Sequence, residues 1–440
     1  MRCAPLVLIA AACSPPARSD RDQRVIAALA EDNYVWATRD PELVAMKLHK
    51  MQRGAFEWLR GTAGVYWRDV TDAGGERPAT ALGDPASSRV LLVGDPHPEN
   101  IGTFRAADGT MLVEWNDFDA AGYGPYEADV RRLATAMAIA AGDDTLGLPR
   151  AVADGYAAQI AELAAGAEPA LLVHGVDQVL DKLIDKATAR GDAHTELTDL
   201  EMFGDLDPVA ADGVIENRQI PVGAEAAVWI DQAIAQWRAD HPEAGAIVWR
   251  TRRLGAGVAS YAALRYDVLL DGGVVLELKE TRDGIVIPGV PQREAADWAS
   301  PAARAVDAQR RLQARRDADP RLGAADLGGL SLKLRDRTAY QRGLDAAELA
   351  ALAAGSAKDR ARLQALAGHL GRLLARAHGA ALTVDRVPGW TVIAPLLAGR
   401  ESAFSEEVVA LSAADTAQVL ADYEALREVD LGAFVIPVSR

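Results

Sequence analysis

Short apolar runs bounded by turn residues predict the first strands of this chain. Val90–Val93 is an apolar run with β-branched residues that ends at Gly94, which is typical of a buried strand. Two further strands are predicted at Ile101–Arg105 and Met111–Trp115, because a turn signal, Asp108–Gly109, separates them. The pattern therefore predicts a strand followed by a β-hairpin.

Longer segments have apolar residues at helical spacing, and Ala-rich helices dominate residues 129–245. The polar, turn-rich segment 191–223 is predicted to be an insertion or lid-like loop. The predicted helices are Arg21–Ala30, one opened by Asp129, Ala151–Ala165, Ala224–Arg238, Pro301–Arg316, Leu363–Ala381 and Ala413–Arg427.

Strand patterns return in the second half of the chain. Three strands are predicted at Val248–Leu254, Tyr261–Leu270 and Val274–Glu280, and a short one within residues 331–340. Together with the helices, these strands predict an α+β protein.

The overall charge limits the possible ligands. The 440-residue chain has a formal net charge of −16 at pH 7, so nothing would neutralise a nucleic-acid backbone, and nucleic-acid binding is not expected. A nucleotide site is compatible with this charge, because metal ions can supply local positive charge.

The N-terminus resembles a bacterial secretory signal. Arg2 precedes the apolar segment Pro5–Ala12, and the small residues Ala10–Ala12 precede Cys13, a candidate lipidation site. This pattern predicts membrane attachment through Cys13 and a location in the cell envelope, either periplasmic or membrane-anchored. The alternative is a frayed N-terminus or a wrongly chosen start, with a cytoplasmic protein. Cys3 and Cys13 are the only cysteines, so residues 21–440 have no disulfide and no thiol nucleophile.

Two acidic loops carry the candidate chemistry. Asp95, His97 and Asn100 lie in one proline-stiffened loop, and Asp117 and Asp119 follow the hairpin. The hairpin can bring both loops to one pocket, where Asp117 completes a set of oxygen ligands suited to Mg²⁺. Phosphoryl transfer uses such a set, with an acid to orient the attacking hydroxyl and an Asn and an Asp on the metal. The alternative is that these aspartates only form turns.

A glycine-rich turn and a lysine form a second candidate element. Gly255 and Gly257 lie between two predicted strands, where backbone N–H groups can bind phosphates, and Lys279 on the following strand can hold their charge. Ser260 stands where a third glycine would be expected. The alternative interpretation is an ordinary β-meander with an edge-strand lysine.

Several segments resemble known proteins. The sequences GDPHPEN and NDFD resemble the catalytic and metal loops of the kinase-like fold of aminoglycoside and choline phosphotransferases. A closer resemblance is to a bacterial family of uncharacterised proteins, domain of unknown function 2252. It rests on KMQRGAFEWLRGTA (50–63), GDPHPENIGTF (94–104), NDFDAAGYGPYEADVRRLA (116–134) and LARAHG (374–379).

The resemblance implies a bilobal protein-kinase-like fold with ATP and Mg²⁺ as cofactors. Asp95 would orient the acceptor hydroxyl, and His97 would support the loop by hydrogen bonds. The metal ligands would be Asn100, Asp117 and Asp119. The nucleotide would lie against Gly255, Gly257, Ser260 and Lys279. Asp307 would pair with Lys279, or else with Arg310 or Arg311 on its own helix.

The order of these motifs is unusual, because the glycine turn and lysine follow the catalytic loop here and precede it in ordinary kinases. A circular permutation is therefore expected, with a helix-rich large lobe and a small antiparallel lobe. The predicted division is a signal at 1–20, a helical and catalytic-loop part at 21–245, a small lobe at 246–345 and a helical part at 346–440.

The favoured function is an ATP- and Mg²⁺-dependent phosphotransferase acting on an unknown small-molecule or surface hydroxyl. An envelope-anchored, non-catalytic pseudokinase is the first alternative, because the signal-like start would place the protein where ATP is scarce. A weaker alternative is a metal-dependent hydrolase that uses Asp95, His97 and Asp117.

Overall fold

The computed structural model of the protein describes residues 18–71, 80–83, 89–169, 171–193, 213–284 and 298–437. Residues 1–17 of the predicted signal segment, which include Cys13, and most of the predicted 191–223 insertion lie outside the described residues. Among the described residues, none of the helices is long and apolar enough to cross a membrane.

The described residues form ten strands, most of them in the middle of the chain, and fourteen helices, which are concentrated toward both ends. The strands are β1 Val90–Leu92, β2 Ile101–Arg105, β3 Met111–Trp115, β4 Gly122–Gly124, β5 Arg218–Pro221, β6 Ile247–Leu254, β7 Arg265–Leu270, β8 Val274–Glu280, β9 Gly323–Asp326 and β10 Ser331–Asp336. The helices are α1 Asp20–Arg39, α2 Pro41–Met51, α3 Ala55–Gly61, α4 Ala63–Thr71, α5 Tyr126–Ala141, α6 Leu148–Ala164, α7 Gln178–Ala193, α8 Ala224–Trp237, α9 Pro301–Leu312, α10 Ala346–Ala354, α11 Ala357–Ala380, α12 Trp390–Leu397, α13 Glu401–Leu426 and α14 Gly432–Val435.

The main sheet is antiparallel and has the strand order β5-β6-β7-β8-β10-β9. Successive side chains of a strand point to opposite faces. One face is apolar and packs on α8, with Tyr266, Leu278 and Leu334 in one buried cluster with Ile234 and Trp237. The other face, here called the charged face, carries Arg253, Arg265, Asp267, Glu277, Lys279, Lys333 and Arg335.

The helical part surrounds the two small sheets, in which β1 pairs with β4 and β2 pairs with β3. Its core brings α6 and α11 into close contact. A Cβ on Gly371 would lie 2.0 Å from the carbonyl oxygen of Val152, so only glycine allows the two helix backbones to approach this closely. The same core holds the apolar residues of β1, which fixes the start of the Asp95 loop against the helices.

The predicted hairpin is confirmed, with strands at Ile101–Arg105 and Met111–Trp115, and Ile101 is opposite Trp115. The mixed α and β composition with an antiparallel sheet is also confirmed. β5 and α8 belong to the main sheet and its core, although they precede residue 246, where the small lobe was predicted to begin.

Several predicted boundaries were wrong. The strand predicted at Tyr261–Leu270 begins at Arg265, because Tyr261 lies in a turn in which its N–H bonds the Val258 carbonyl. The helix predicted to reach Arg316 ends at Leu312, where Gln313 is extended and its side chain donates to the Trp115 carbonyl at 2.7 Å. These boundaries depend on contacts that the local pattern does not contain.

A buried carboxyl at the end of the main sheet gives a testable consequence. Asp319 Oδ1 accepts from the Asp336 N–H at 3.3 Å, and Oδ2 accepts from Gln309 at 3.0 Å. Burial, together with the Asp336 carboxylate, raises the pKa of Asp319 from 3.8 to about 6. The folded state therefore keeps the proton in a pH range where the unfolded state has lost it, so this group destabilises the fold as pH rises from about 4 to 6.

Replacing Asp319 by Asn should remove this cost, which is at most about 3 kcal/mol at neutral pH. The free energy of unfolding, measured in urea at several pH values, should rise in Asp319→Asn relative to the native protein above pH 6 and not at pH 4. Asp385→Asn, the same change at an exposed position whose partner is an arginine, Arg89, is the control. A difference that does not depend on pH would contradict the assignment.

Candidate functional site

The loop after β1 is folded by its own hydrogen bonds. Pro98–Asn100 form a turn of 3₁₀ helix, in which the Asn100 N–H donates to the His97 carbonyl at 2.9 Å. The Asn100 side-chain amide also donates to the Asp95 carbonyl at 2.9 Å. The spacing of Asp95 and Asn100 therefore closes the loop on itself.

The hairpin places the second acidic loop beside the first, as the sequence predicts. The Asn116 N–H donates to the Asn100 carbonyl at 3.0 Å, one step beyond the last paired residues of β2 and β3. Asp117 Oδ1 accepts from the Asp119 N–H at 3.2 Å, which bends the chain after Asp117. Asn100 directly before β2 and Asp117 shortly after β3 therefore lie at neighbouring ends of the two paired strands.

Asp129 on α5 braces the start of the Asp95 loop through hydrogen bonds to its backbone. Its Oδ2 accepts hydrogen bonds from the N–H groups of Val93 (2.9 Å) and Gly94 (3.2 Å) and lies 3.1 Å from His378 Nε2. The Tyr156 hydroxyl lies 2.9 Å from the other ring nitrogen of His378, and both side chains are buried. His378 is therefore a structural core residue. Because α5 begins at Tyr126, Asp129 lies inside the helix and does not cap it.

Arg132 on α5 holds Asp95. Its Nε and Nη2 both lie 2.9 Å from Asp95 Oδ1, and Nη2 also donates to the Leu59 carbonyl at 2.6 Å. Burial raises the pKa of Asp95, while the Arg132 and Arg60 cations oppose that rise. With Oδ1 occupied by Arg132, Oδ2 is the oxygen that can meet a substrate. Sequence analysis did not identify Arg132, because its helical position gave no functional pattern.

His97 does not form the ring-to-loop hydrogen bonds that the resemblance implies. Its Nε2 lies 3.9 Å from Asp95 Oδ2, beyond hydrogen-bond distance, and its buried Nδ1 has no partner. The ring packs edge-on against Phe56, and burial with the cations Arg60 and Arg132 lowers its pKa well below the ordinary value. His97 is a neutral packing residue whose support of the loop comes through its carbonyl.

Lys279 joins the main sheet to the second acidic loop. Its Nζ lies 2.8 Å from Asp117 Oδ2 and 2.5 Å from Asp119 Oδ2, and its side chain is buried. Burial alone would raise the pKa of Asp117, but Lys279 and Lys333 hold it well below the ordinary value. The interpretation of Lys279 as an edge-strand lysine was wrong, because β8 lies between β7 and β10.

A second lysine, Lys333 on β10, enters the same cluster. Lys333 lies directly opposite Lys279 in the sheet, and its Nζ is 3.5 Å from Asp119 Oδ1 and 4.0 Å from Asp117 Oδ1. It is buried, and burial lowers its pKa. Sequence analysis missed it, although a lysine between Leu332 and Leu334 is a signal of a polar sheet face.

The arginines of the charged face, together with the neighbouring Arg337, pair with two carboxylates of the same sheet. Glu277 contacts Arg253, Arg265 (3.2 Å) and Arg335 (2.9 Å), and Asp267 contacts Arg337 at 2.9 Å. Six cations thus face four carboxylates when Asp117 and Asp119 are included. The excess of positive charge suits an anionic ligand.

Asp307 does not pair with Lys279. Its carboxylate accepts from Trp298 Nε1 (2.8 Å) and pairs with Arg311 (3.1 Å), four residues along α9, which was the alternative left open. The residue of α9 that reaches the site is Arg304. Its guanidinium donates to the carbonyls of Asp119 (2.8 Å) and Arg282 (2.7 Å), so it holds the acidic loop through the backbone.

The glycine turn lies at the end of β6. Gly255 (φ 71°) and Gly257 (φ 76°) have left-handed backbones, and a Cβ on Gly255 would lie 2.2 Å from the Ile215 carbonyl oxygen. Ser260 Oγ accepts from Arg265 at 3.1 Å. Because Arg265 is opposite Lys279 in the sheet, the turn reaches the charged face through Ser260.

The residues present fit a hard divalent cation only in part. The described residues contain no group of three or more His, Cys, Asp or Glu side chains arranged for a metal ion. Asp117 and Asp119 nevertheless supply two carboxylates, and the buried Asp119 Oδ1 accepts no hydrogen bond, with the Lys333 ammonium 3.5 Å away. With the side-chain amide oxygen of Asn100, these groups match the oxygen donors that Mg²⁺ accepts alongside phosphate.

The brace at Asp129 can be tested directly. Asp129→Ala should lower the free energy of unfolding by about 3 kcal/mol, because two backbone N–H groups lose a buried, charged acceptor. Urea denaturation measures the change. Asp385→Ala, which removes an exposed carboxylate paired with Arg89, should change stability little. Equal effects of the two variants would contradict the brace.

Comparison with known proteins gives one match. No curated protein and no solved structure matches the chain. A family model described as "Uncharacterized protein conserved in bacteria (DUF2252)" matches residues 39–429, which include the acidic loops, the main sheet and α11. The chain therefore belongs to this bacterial family, domain of unknown function 2252.

Proposed function

We propose that the protein is a kinase-like phosphotransferase that uses ATP and Mg²⁺ to phosphorylate a hydroxyl group on a small-molecule or surface acceptor. The observation that carries this proposal is the meeting of Lys279 with Asp117, at 2.8 Å, across 162 residues of chain. Phosphoryl transfer requires a phosphate-binding lysine, a metal-binding aspartate and a hydroxyl-orienting aspartate in one place.

The order of elements in the main sheet supports a kinase-like small lobe. A strand (β6), a glycine turn, a second strand (β7), a lysine strand (β8) and a helix (α9) follow one another. Protein kinases place their glycine-rich loop, phosphate-binding lysine and small-lobe helix in this order. Here the helix provides Arg304 in place of an acid paired with the lysine.

One contact supports the proposed circular permutation. The Val384 N–H, just after α11, donates to the carbonyl of Arg89, just before β1, at 3.0 Å. A chain that ran from α11 directly into β1 would therefore need little rearrangement. That connection would place the catalytic loop after the small lobe, as in ordinary kinases.

The proposed roles combine the resemblance to kinase-like proteins with the contacts of each side chain. Asp95 Oδ2 receives the proton of the acceptor hydroxyl, while Arg132 fixes Oδ1 and thereby the carboxylate plane. Asn100, Asp117 and Asp119 hold the metal ion, which neutralises phosphate charge when bound. Lys279 binds the phosphates, and the turn with Gly255, Gly257 and Ser260 covers them.

The role of Asp95 gives a direct test of transfer. Asp95→Asn should lower nucleotide-dependent turnover by about 10²–10⁴-fold, because the amide cannot accept the proton. ADP release from ATP is measured with and without a panel of small hydroxyl compounds, beside Asp385→Asn as an exposed control. Turnover that Asp95→Asn leaves unchanged would exclude this role, and ATP binding without any turnover would favour the pseudokinase alternative.

The pH dependence of activity gives a second test. Asp95 must be ionised to accept a proton, and its pKa is raised above the ordinary aspartate value of 3.8. The acid limb, the pH range in which kcat/KM falls as the pH decreases, should therefore lie above pH 3.8. Arg132→Gln removes a cation that opposes the rise, so this acid limb should move to higher pH. Arg131→Gln is the matched control, because Arg131 pairs with Asp415 instead. An acid limb that does not move in Arg132→Gln would contradict the assignment.

A further inference from the structure

Two lysines, rather than one, neutralise the second acidic loop. Lys279 and Lys333 are directly paired residues of β8 and β10, and their side chains are 5% and 1% exposed. Each lies within 4.0 Å of both Asp117 and Asp119. The arginines of the charged face contact Glu277 and Asp267, whereas Lys279 and Lys333 form the salt bridges to the carboxylates of Asp117 and Asp119.

This set of four side chains is electrically neutral by itself. A divalent cation entering alone would meet Asp117 and Asp119 already neutralised, with two ammonium groups within a few ångströms. A phosphate group entering alone would draw Lys279 and Lys333 away from the aspartates and leave two carboxylates without counter-ions. In a partly buried site either imbalance is costly.

Simultaneous binding avoids both costs. The carboxylates turn to the cation and the ammonium groups turn to the phosphates, so every charge keeps a partner of opposite sign. The side-chain movement this needs is small, because a lysine amine on a flexible stem can shift between neighbouring acceptors.

We propose that Lys279 and Lys333 act as exchangeable counter-ions that couple binding of Mg²⁺ to binding of a ligand with adjacent phosphate groups. Lys333 is thereby a phosphate ligand of the loaded site. This inference rests on the proposed function and deepens it, since it says how the empty site is kept from taking either component alone. In thermodynamic terms, binding of the cation should raise the affinity for the phosphate ligand, and binding of the phosphate ligand should raise the affinity for the cation by the same factor.

Calorimetry on the full chain tests the coupling with Mg²⁺ alone, inorganic pyrophosphate alone, and each in the presence of the other. In the native protein, either component should bind at least ~10-fold more tightly when the other is present. No acceptor hydroxyl is added, so the measurement reports binding and does not depend on phosphoryl transfer.

Replacing Lys333 should shift the two affinities in opposite directions. In Lys333→Met, Mg²⁺ alone should bind ~10-fold more tightly, because Asp119 loses a counter-ion, while the Mg²⁺–pyrophosphate pair binds ~10-fold more weakly. A merely structural role would weaken both. Lys333→Arg keeps the charge and should restore the coupling. Lys186→Met, an exposed lysine paired with Glu348, is the charge-matched control.

Lys333→Gln serves as a second neutral variant, and thermal unfolding establishes that each variant is folded. Coupling that persists unchanged in both neutral variants, or Mg²⁺ affinity that falls in them, would overturn the inference and leave the proposed function standing. If the native protein binds neither Mg²⁺–pyrophosphate nor Mg²⁺–ATP, the inference and the proposed function fail together.

Discussion

The ion pairs of the buried Lys279 and Lys333 with the half-buried Asp117 and Asp119 are the interaction on which the candidate site depends. They connect strands from the second half of the sequence to a loop from the first half. Removing one partner of a fully buried pair commonly costs about 3–5 kcal/mol, because the remaining charge is left uncompensated. The cost is smaller here, because the side chains of Asp117 and Asp119 are 30% and 24% exposed and solvent screens them. Charge, in addition to apolar packing, therefore holds the hairpin in position against the main sheet.

Backbone contacts fix the same loop from a second direction. Arg304, buried on α9, donates to the carbonyl of Asp119 and also to that of Arg282, after β8. A guanidinium can hold several acceptors in one plane, which a lysine cannot. Arginines and lysines have different roles here. The arginines bind backbone carbonyls and the carboxylates of the sheet, while the two lysines, whose ammonium groups can rotate between acceptors, face the site.

The sequence predicted the elements that depend on local pattern. The hairpin at Ile101–Arg105 and Met111–Trp115 was correct because alternation and a two-residue turn signal determine it within about fifteen residues. The proximity of Asn100 to Asp117 followed from that hairpin. Lys279 was identified from the glycine turn and the strand pattern that follow one another at Val248–Glu280, and the structure gives it the two aspartates as partners.

Residues whose partners are distant in the chain were missed or misassigned. Lys333, Arg132 and Arg304 act on groups up to about two hundred residues away, and their own segments have only ordinary strand or helix patterns. Asp307 was assigned by analogy with kinases to Lys279, with Arg310 or Arg311 as the alternative, and it binds Trp298 and Arg311. Short strands such as Gly122–Gly124 have no alternating pattern and form only because a partner strand is present.

The most direct test of the central claim is a crystal structure of the full chain with Mg²⁺ and a non-hydrolysable ATP analogue at millimolar concentration. The account predicts that the terminal phosphates lie within hydrogen-bond distance of Lys279 Nζ, with the metal ion on Asp117 and the terminal phosphate facing Asp95. An analogue bound elsewhere on the molecule, or no analogue bound at that concentration, would contradict it.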